Sequence, residues 1–254
     1  MFKVASWNIN SIKVRLPQVL DWLAKESPDV LGLQETKATD EAFPINEIRQ
    51  AGYHAYFTGQ KTYNGVALIS KQSLTEIVVE LPEFADTQRR IIAATCNDIR
   101  ILNLYVPNGA SVDSEKYQYK LSWLQALQRY VTGQLLQYRK VLLMGDFNIA
   151  PEDRDVHDPK AWEGSVLVSA QERAALQNLL KLGLVDSFRL FEQKTGFYSW
   201  WDYRAAAFRR NMGLRIDLIL LSQALVGQCL SSNIDKTPRQ TERPSDHVPV
   251  WVAL

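Results

Sequence analysis

Glu35, Asp146, Asp217 and Asp246 all stand where a short apolar run meets polar residues, a costly place for an unpaired carboxylate. Val30-Leu31-Gly32-Leu33 runs into Gln34-Glu35-Thr36, and Val141-Leu142-Leu143-Met144 runs into Gly145-Asp146-Phe147-Asn148. Asp217 is set between Ile216 and Leu218, and Ser245-Asp246-His247 precedes Val248-Pro249-Val250. Two further apolar runs end in Asn8-Ile9-Asn10 and in Tyr105-Val106-Pro107-Asn108. If these ends converge, the four acids cannot all stay ionised without a cation. Oxygen ligands of this kind suit Mg²⁺ or Mn²⁺, whereas zinc would favour Cys and His. A hard cation beside Asn, Tyr and His suggests phosphoryl chemistry, with a carboxylate or imidazole managing the proton of an attacking water.

Each element has a plainer meaning taken alone. A single Asn after a strand is a common turn residue, Gly145-Asp146 makes a turn, and Tyr105 fits a packed aromatic with a wet hydroxyl. Asp217 resists such a reading, because a buried carboxylate needs a partner; His247 is the obvious one. The joint occurrence shifts the odds toward function.

The elements that must carry these residues alternate between strand and helix patterns. Strands are expected at Phe2–Asn8, Val30–Gln34, Tyr53–Thr58, Gly65–Ser70, Ile77–Glu80, Arg90–Thr95, Asp98–Tyr105, Lys140–Gly145, Ile216–Leu221 and Val248–Ala253. Helical spacing marks Val14–Glu26 and Glu115–Tyr138, and Ser169-Ala170-Gln171-Glu172 has capping-box form before a helix that Gly183 should stop. Asp235–Arg243 reads as a mobile charged stretch. Many strands with interspersed helices point to a layered α/β sandwich, and no repeat or linker divides residues 1–254 into more than one domain.

Composition narrows the classes. With 254 residues, 46% hydrophobic and 22% charged, collagenous and disordered readings are excluded. Lys plus Arg is 29 and Asp plus Glu 28, too balanced for a protein that coats nucleic acid by bulk charge, though a basic rim and an acidic centre would cancel in that sum. No apolar stretch approaches the ~20 residues of a membrane span, and no secretory signal is visible. Cys96 and Cys229 match no metal motif and read as reduced thiols, consistent with a cytoplasmic location.

Taken in order, Ser6-Trp7-Asn8-Ile9-Asn10, Leu33-Gln34-Glu35-Thr36-Lys37, Asn103–Asn108, Gly145–Ala150, Gly213–Asp217 and Ser245-Asp246-His247 resemble the exonuclease III family of apurinic/apyrimidinic endonucleases. Tyr198–Arg204 and Gln88–Ile92 are similar to this DNA-repair branch rather than to relatives acting on phosphoinositides or sphingomyelin. The resemblance implies a four-layer α/β sandwich, two packed mixed β-sheets flanked by helices, as in deoxyribonuclease I. It implies Glu35 as principal metal ligand, with Asn8, Asn10 and Asp246 completing or orienting the site. Asp146 would activate or position the water, Asn148 would hold that water or a phosphoryl oxygen, and both would border the metal. Tyr105 would contact the scissile phosphate, and Asp217 would fix the tautomer of His247.

The family has also been read with the Asp217–His247 pair or a Tyr105 phenolate as the base; Asp146 is the preferred assignment. Trp200, Leu214 and Ile216 match a pocket for an extrahelical sugar, and Asn108, Arg89, Arg90, Lys13, Arg15, Lys37 and Arg204 are candidate phosphate contacts. One departure stands out: related sequences often carry a small residue near the sugar pocket where Val166-Leu167-Val168 is bulky. If Leu167 crowds the pocket, abasic-site incision weakens while removal of 3′ blocks survives.

The expected activity is therefore Mg²⁺- or Mn²⁺-dependent cleavage 5′ to abasic sites in duplex DNA, with 3′→5′ exonuclease and 3′-phosphatase activity, by a monomer. A phosphatase acting on a lipid or small molecule, or a non-catalytic DNA-binding protein, would be the alternatives; the complete set of acids with Asn148 and His247 argues against the second.

Overall fold

The computed structural model describes residues 1–254. Its elements in chain order are β1 (Lys3–Asn8), α1 (Ile12–Glu26), β2 (Val30–Gln34), α2 (Ile45–Gln50), β3 (His54–Thr58), β4 (Val66–Ser70), β5 (Thr75–Val78), β6 (Ile91–Cys96) and β7 (Ile99–Tyr105). There follow α3 (Glu115–Gln137), β8 (Lys140–Asp146), α4 (Pro159–Trp162), α5 (Ala170–Leu180), β9 (Leu184–Asp186), β10 (Asp217–Ser222), α6 (Gln223–Val226), β11 (Ser231–Ile234) and β12 (Val250–Ala253).

The strands form two six-stranded sheets, ordered β11-β12-β1-β2-β4-β3 and β5-β6-β7-β8-β10-β9. Each has one parallel pair, β1/β2 and β7/β8, while its other pairs are antiparallel. A parallel pair needs a crossover, and α1 and α3 supply the two. The mixed two-sheet sandwich flanked by helices agrees with the expected fold class.

Both faces of the central strands are covered, which is why they read as continuous apolar runs. Leu142 and Met144 of β8 and Ile219 of β10 face Val4, Val30 and Leu68 of the other sheet, whereas Val141 and Leu143 face Trp123, Leu127, Val131 and Leu176 of α3 and α5. Across the first sheet, Ala5, Trp7, Leu31 and Leu33 pack on Val19, Trp22 and Leu23 of α1. Each such buried Leu or Ile contributes about 1.5–3 kcal/mol.

Register does the rest. In the second sheet Tyr105 is directly opposite Asp146, and Asp146 directly opposite Asp217. In the first, Asn8 is opposite Gln34, so Glu35 follows immediately at the same edge. Because β10 and β12 run antiparallel to their neighbours, the start of each meets the ends of β8 and β1. The two sheets are also pinned under this edge by a buried polar link: Gln34 Nε2 donates to Ser6 and Asn103, and Asn103 donates to the Leu33 and Ala67 carbonyls.

Several elements differ from expectation. α1 starts at Ile12 rather than Val14, because Ile12 is buried and its amide is held by the Thr36 carbonyl. The edge strand expected at Ile77–Glu80 lies at Thr75–Val78, where a register shift interrupts its pairing with β6. β9 and β11 are short and weakly patterned, and went unexpected. The stretch expected to be mobile, Asp235–Arg243, carries one helical turn at Thr237–Gln240 and is bound to α1 by Trp22, Arg15 and Gln18.

Candidate active site

Gly145 is what lets Asp146 reach the edge. A Cβ there would meet the Leu104 carbonyl oxygen at 2.0 Å, so only glycine allows β8 to lie this close to β7. Asp146 is then fully enclosed: its Oδ2 accepts from Asn8 Nδ2 at 2.9 Å and Asn148 Nδ2 at 3.2 Å, and its Oδ1 from the Asn148 amide at 2.9 Å. Asn8 Nδ2 also donates to Glu35 at 3.0 Å. Glu35 in turn meets the Lys37 ammonium at 2.7 Å, and that ammonium donates to Asn10 Oδ1 at 2.6 Å. Asn10 Nδ2 donates to Asp246 Oδ1 at 3.0 Å, while Trp200 Nε1 donates to Asp246 Oδ2 at 3.0 Å.

His247 lies behind Asp146. Its Nδ1 meets Asp217 Oδ2 at 2.9 Å and its Nε2 is 3.7 Å from Asp146 Oδ2. The turn that carries it is fixed by Ser245, whose hydroxyl donates to the Asn8 carbonyl at 2.7 Å and accepts the His247 amide. Ser199 Oγ likewise accepts the amides of Ile216 and Asp217.

The acids thus gather, though not as one ring of four. Asp146, Asp217 and His247 offer ligand atoms within 4.8 Å of one another. Glu35 and Asp246 flank this group, joined through Lys37 and Asn10.

Electrostatics follow from this crowding. Burial raises Asp146 to about 7, with the His247 charge opposing and Asp217 adding to the rise. Burial works against the His247 cation, but Asp217 and Asp146 outweigh it and bring the group to about 10. Burial would also raise Glu35 and Asp246, yet Lys37 for the one and His247 for the other hold them below the ordinary range. Burial, Glu35 and Asp146 push the Tyr105 phenol well up, so it stays protonated and is poorly suited to act as a phenolate. The donor set is oxygen-rich, and a cationic group, the Lys37 ammonium, already rests against Glu35 and Asn10; both features fit a bound metal cation.

Beside the acids is an apolar wall. Trp200 and Leu214 exchange backbone hydrogen bonds, both 3.0 Å, and Trp200, Leu214 and Ile216 pack with Val156, Leu167 and Val168. Trp201 instead belongs to the core with Tyr198 and Val248. Asn108 is exposed and donates to Asn148 Oδ1 at 3.0 Å. Arg90 donates to the Tyr105 carbonyl and lies over the Tyr105 ring at 4.7 Å.

Of the other candidate phosphate contacts, Lys13 is exposed and Arg89 half-buried, and three are otherwise engaged. Arg15 binds the Pro244 and Arg243 carbonyls, Arg204 pairs with Asp202, and Lys37 is held inside the site. The sequence reading gave no part to Ser199, Ser245 or Lys120; only their burial and bonding reveal them.

Comparison with known proteins agrees with this geometry. The model of the "Endonuclease/Exonuclease/phosphatase family" matches residues 5–247. The chain is 39% identical to exodeoxyribonuclease III of Haemophilus influenzae, over 98% of each protein. It superposes with a TM-score of 0.99 on a structure of the 3′ phosphatase NExo from Neisseria bound to a product DNA hairpin, at 44% identity, covering 100% of this chain and 99% of that one. An AP endonuclease from Archaeoglobus fulgidus gives a TM-score of 0.97 at 38% identity, again covering 100% and 99%. With both the matched sequence and the matched fold running the length of the strand-edge site, the chain belongs to the endonuclease/exonuclease/phosphatase family, in its exodeoxyribonuclease III and AP endonuclease branch.

Proposed function

We propose that residues 1–254 form one catalytic domain, a monomeric DNA-repair phosphodiesterase that acts on duplex DNA with blocked 3′ ends or abasic sites. The observation that carries this reading is the row Tyr105–Asp146–Asp217, placed by strand register beside Glu35 and His247 and next to an apolar wall. Such a row faces a phosphate with acids, an imidazole and a hydroxyl, while Trp200, Leu214 and Ile216 offer a sugar an apolar surface that rejects a nucleotide still carrying its base.

In this reading the Asp146 carboxylate takes the proton of the attacking water; burial, which raises it to about 7 without a cation, makes it a stronger base than an exposed Asp. His247, kept cationic by Asp217, donates to a phosphoryl oxygen through Nε2. The Tyr105 hydroxyl donates to the phosphate, Asn148 positions the water or an oxygen, and Asn108 and Arg90 contact the strand. Glu35 would hold the metal with Asn8, Asn10 and Asp246, and Asp146 and Asn148 border it; when bound, Mg²⁺ or Mn²⁺ supplies neutralisation of developing phosphoryl charge. Positioning and charge compensation supply most of the acceleration in such an in-line displacement.

The balance between activities turns on Leu167. It is buried at 4% exposure, holds a left-handed backbone (φ 77°) and packs on Leu214 and Ile216. A bulky side chain there narrows the wall, so release of 3′ blocks exceeds incision at internal abasic sites. No helix is long and apolar enough to cross a membrane, in keeping with a cytoplasmic place of work.

The test is a time course on one duplex carrying an internal abasic site and another carrying a 3′-phosphate, each with and without chelator. The reading expects chelator-sensitive turnover of both, with faster phosphate release. No turnover of either duplex would refute it.

A further inference from the structure

A second charged centre sits behind the wall, fully buried. Lys120 of α3 and Glu172 of α5 are both 0% exposed and form an ion pair. The Lys120 ammonium also donates to the Asn148 carbonyl at 2.7 Å and to the Asn108 carbonyl at 3.1 Å. Glu172 accepts the Leu167 amide at 3.0 Å and the Ser169 amide at 3.1 Å, and Ser169 is held further by the Tyr117 hydroxyl. Three loops that border the site thus end on one pair of opposite charges: the approach to α3, the exit from β8 and the segment before α5.

Stability alone does not account for this pair. Removing two ions from water costs several kcal/mol each, and apolar residues of similar volume commonly serve a core as well or better. What the ammonium does, and an apolar group would not, is bind two particular carbonyls. The residues that own them carry the Asn108 and Asn148 side chains, which bond to each other, and Asn148 reaches Asp146. Asn148 also holds a left-handed backbone (φ 49°), which Asn adopts more readily than other side-chain-bearing residues, and its carbonyl in that turn is the one the ammonium fixes.

We infer that Lys120 is a positioning residue for the phosphate site: anchored by Glu172, it fixes the Asn108 and Asn148 peptides and so the side chains that orient Asp146. Lys120 touches no substrate. The inference rests on the function proposed above and adds to it the device that sets the reacting geometry.

Two uncharged pairs test it, Lys120→Met with Glu172→Gln and Lys120→Gln with Glu172→Gln. Gln at position 172 preserves the capping-box pattern, and neither variant leaves a lone buried charge. Turnover of a 3′-phosphate duplex is measured and normalised to the fraction of protein that binds a 3′-hydroxyl duplex. The methionine variant is expected to lose about 10- to 100-fold in kcat with KM changed by less than about threefold. The glutamine variant, which still offers an N–H to the carbonyls, is expected to recover a substantial part. Equal loss in both, or a methionine variant within about twofold of wild type, would overturn the inference.

Should the methionine variant not fold, Lys120→Leu with Glu172→Gln takes its place and is read in the same way: a lower kcat at unchanged KM that Lys120→Gln partly restores supports the inference, and an unchanged kcat overturns it. A wild-type protein inactive on DNA would remove the proposed function and this inference with it; an active wild type beside an unimpaired methionine variant removes the inference alone.

Discussion

The side-chain amide of Asn8 donates to Glu35 at 3.0 Å and to Asp146 at 2.9 Å, so one neutral group joins carboxylates carried by different sheets. This bridge keeps the candidate metal-binding acid and the candidate base in fixed relation. Asn8→Ala is therefore expected to lower kcat by about tenfold or more and to raise the Mg²⁺ concentration giving half-maximal turnover. A Mg²⁺ titration of 3′-phosphate release checks both effects; an unchanged half-saturation would show that the bridge does not organise the metal site.

The elevated Asp146 has a signature in stability. Its folded value, about 7, lies above the ordinary 3.8, so the folded state retains a proton that the unfolded chain loses. The stability this contributes is complete below the unfolded value and is lost as pH rises to about 7. In chelator, the melting temperature of Asp146→Asn relative to wild type should climb between the two values and level off above them. A flat difference across that window would mean that the carboxyl titrates normally. Added Mg²⁺ should flatten it too, by stabilising the wild-type carboxylate.

The Asp217 carboxylate makes its one side-chain hydrogen bond in the site with His247 Nδ1, at 2.9 Å, and its charge also raises Asp146. Asp217→Asn should lower kcat by roughly 10²- to 10⁴-fold with little change in KM, because the imidazolium loses the counter-charge that keeps it protonated and the carboxylate that orients its ring. Steady-state kinetics on the 3′-phosphate duplex measure this. A loss smaller than about tenfold would remove His247 from the chemistry.

Leu167→Gly tests the wall. Glycine takes the φ of 77° freely and removes the side chain packed on Leu214 and Ile216. Incision of an internal abasic site should rise relative to 3′-phosphate release, a ratio that is independent of the fraction of active protein. An unmoved ratio would show that the Leu167 side chain does not govern substrate choice.

The parts of this architecture most legible in the sequence are those set by short-range pattern. The apolar runs of β1, β2, β7, β8 and β10 and their polar ends could be read directly, because both faces of those strands are buried and the turn residues interrupt them sharply. The pairing of Asp217 with His247 followed from requiring a buried acid to find a partner, whereas the convergence of Glu35, Asp146 and Asp246 on it was a condition that the resemblance to the exonuclease III family supplied. Their separation into a tight Asp146–Asp217–His247 group with Glu35 and Asp246 at its flanks depends on strand register, which no local pattern specifies. Ser199, Ser245 and Lys120 were invisible for a related reason: each acts through a backbone group distant in sequence, such as the Asn8 carbonyl reached by Ser245. The short strands β9 and β11 have too few residues to show a period.

The central claim is that a hard cation binds at these acids. Anomalous scattering from a crystal soaked in Mn²⁺ tests it most directly. The account predicts a peak at coordination distance, about 2.0–2.5 Å, from a Glu35 carboxylate oxygen and on the side that faces Asp146 and Asp246, with the Lys37 ammonium displaced. A crystal whose only manganese peaks lie away from Glu35 would contradict it.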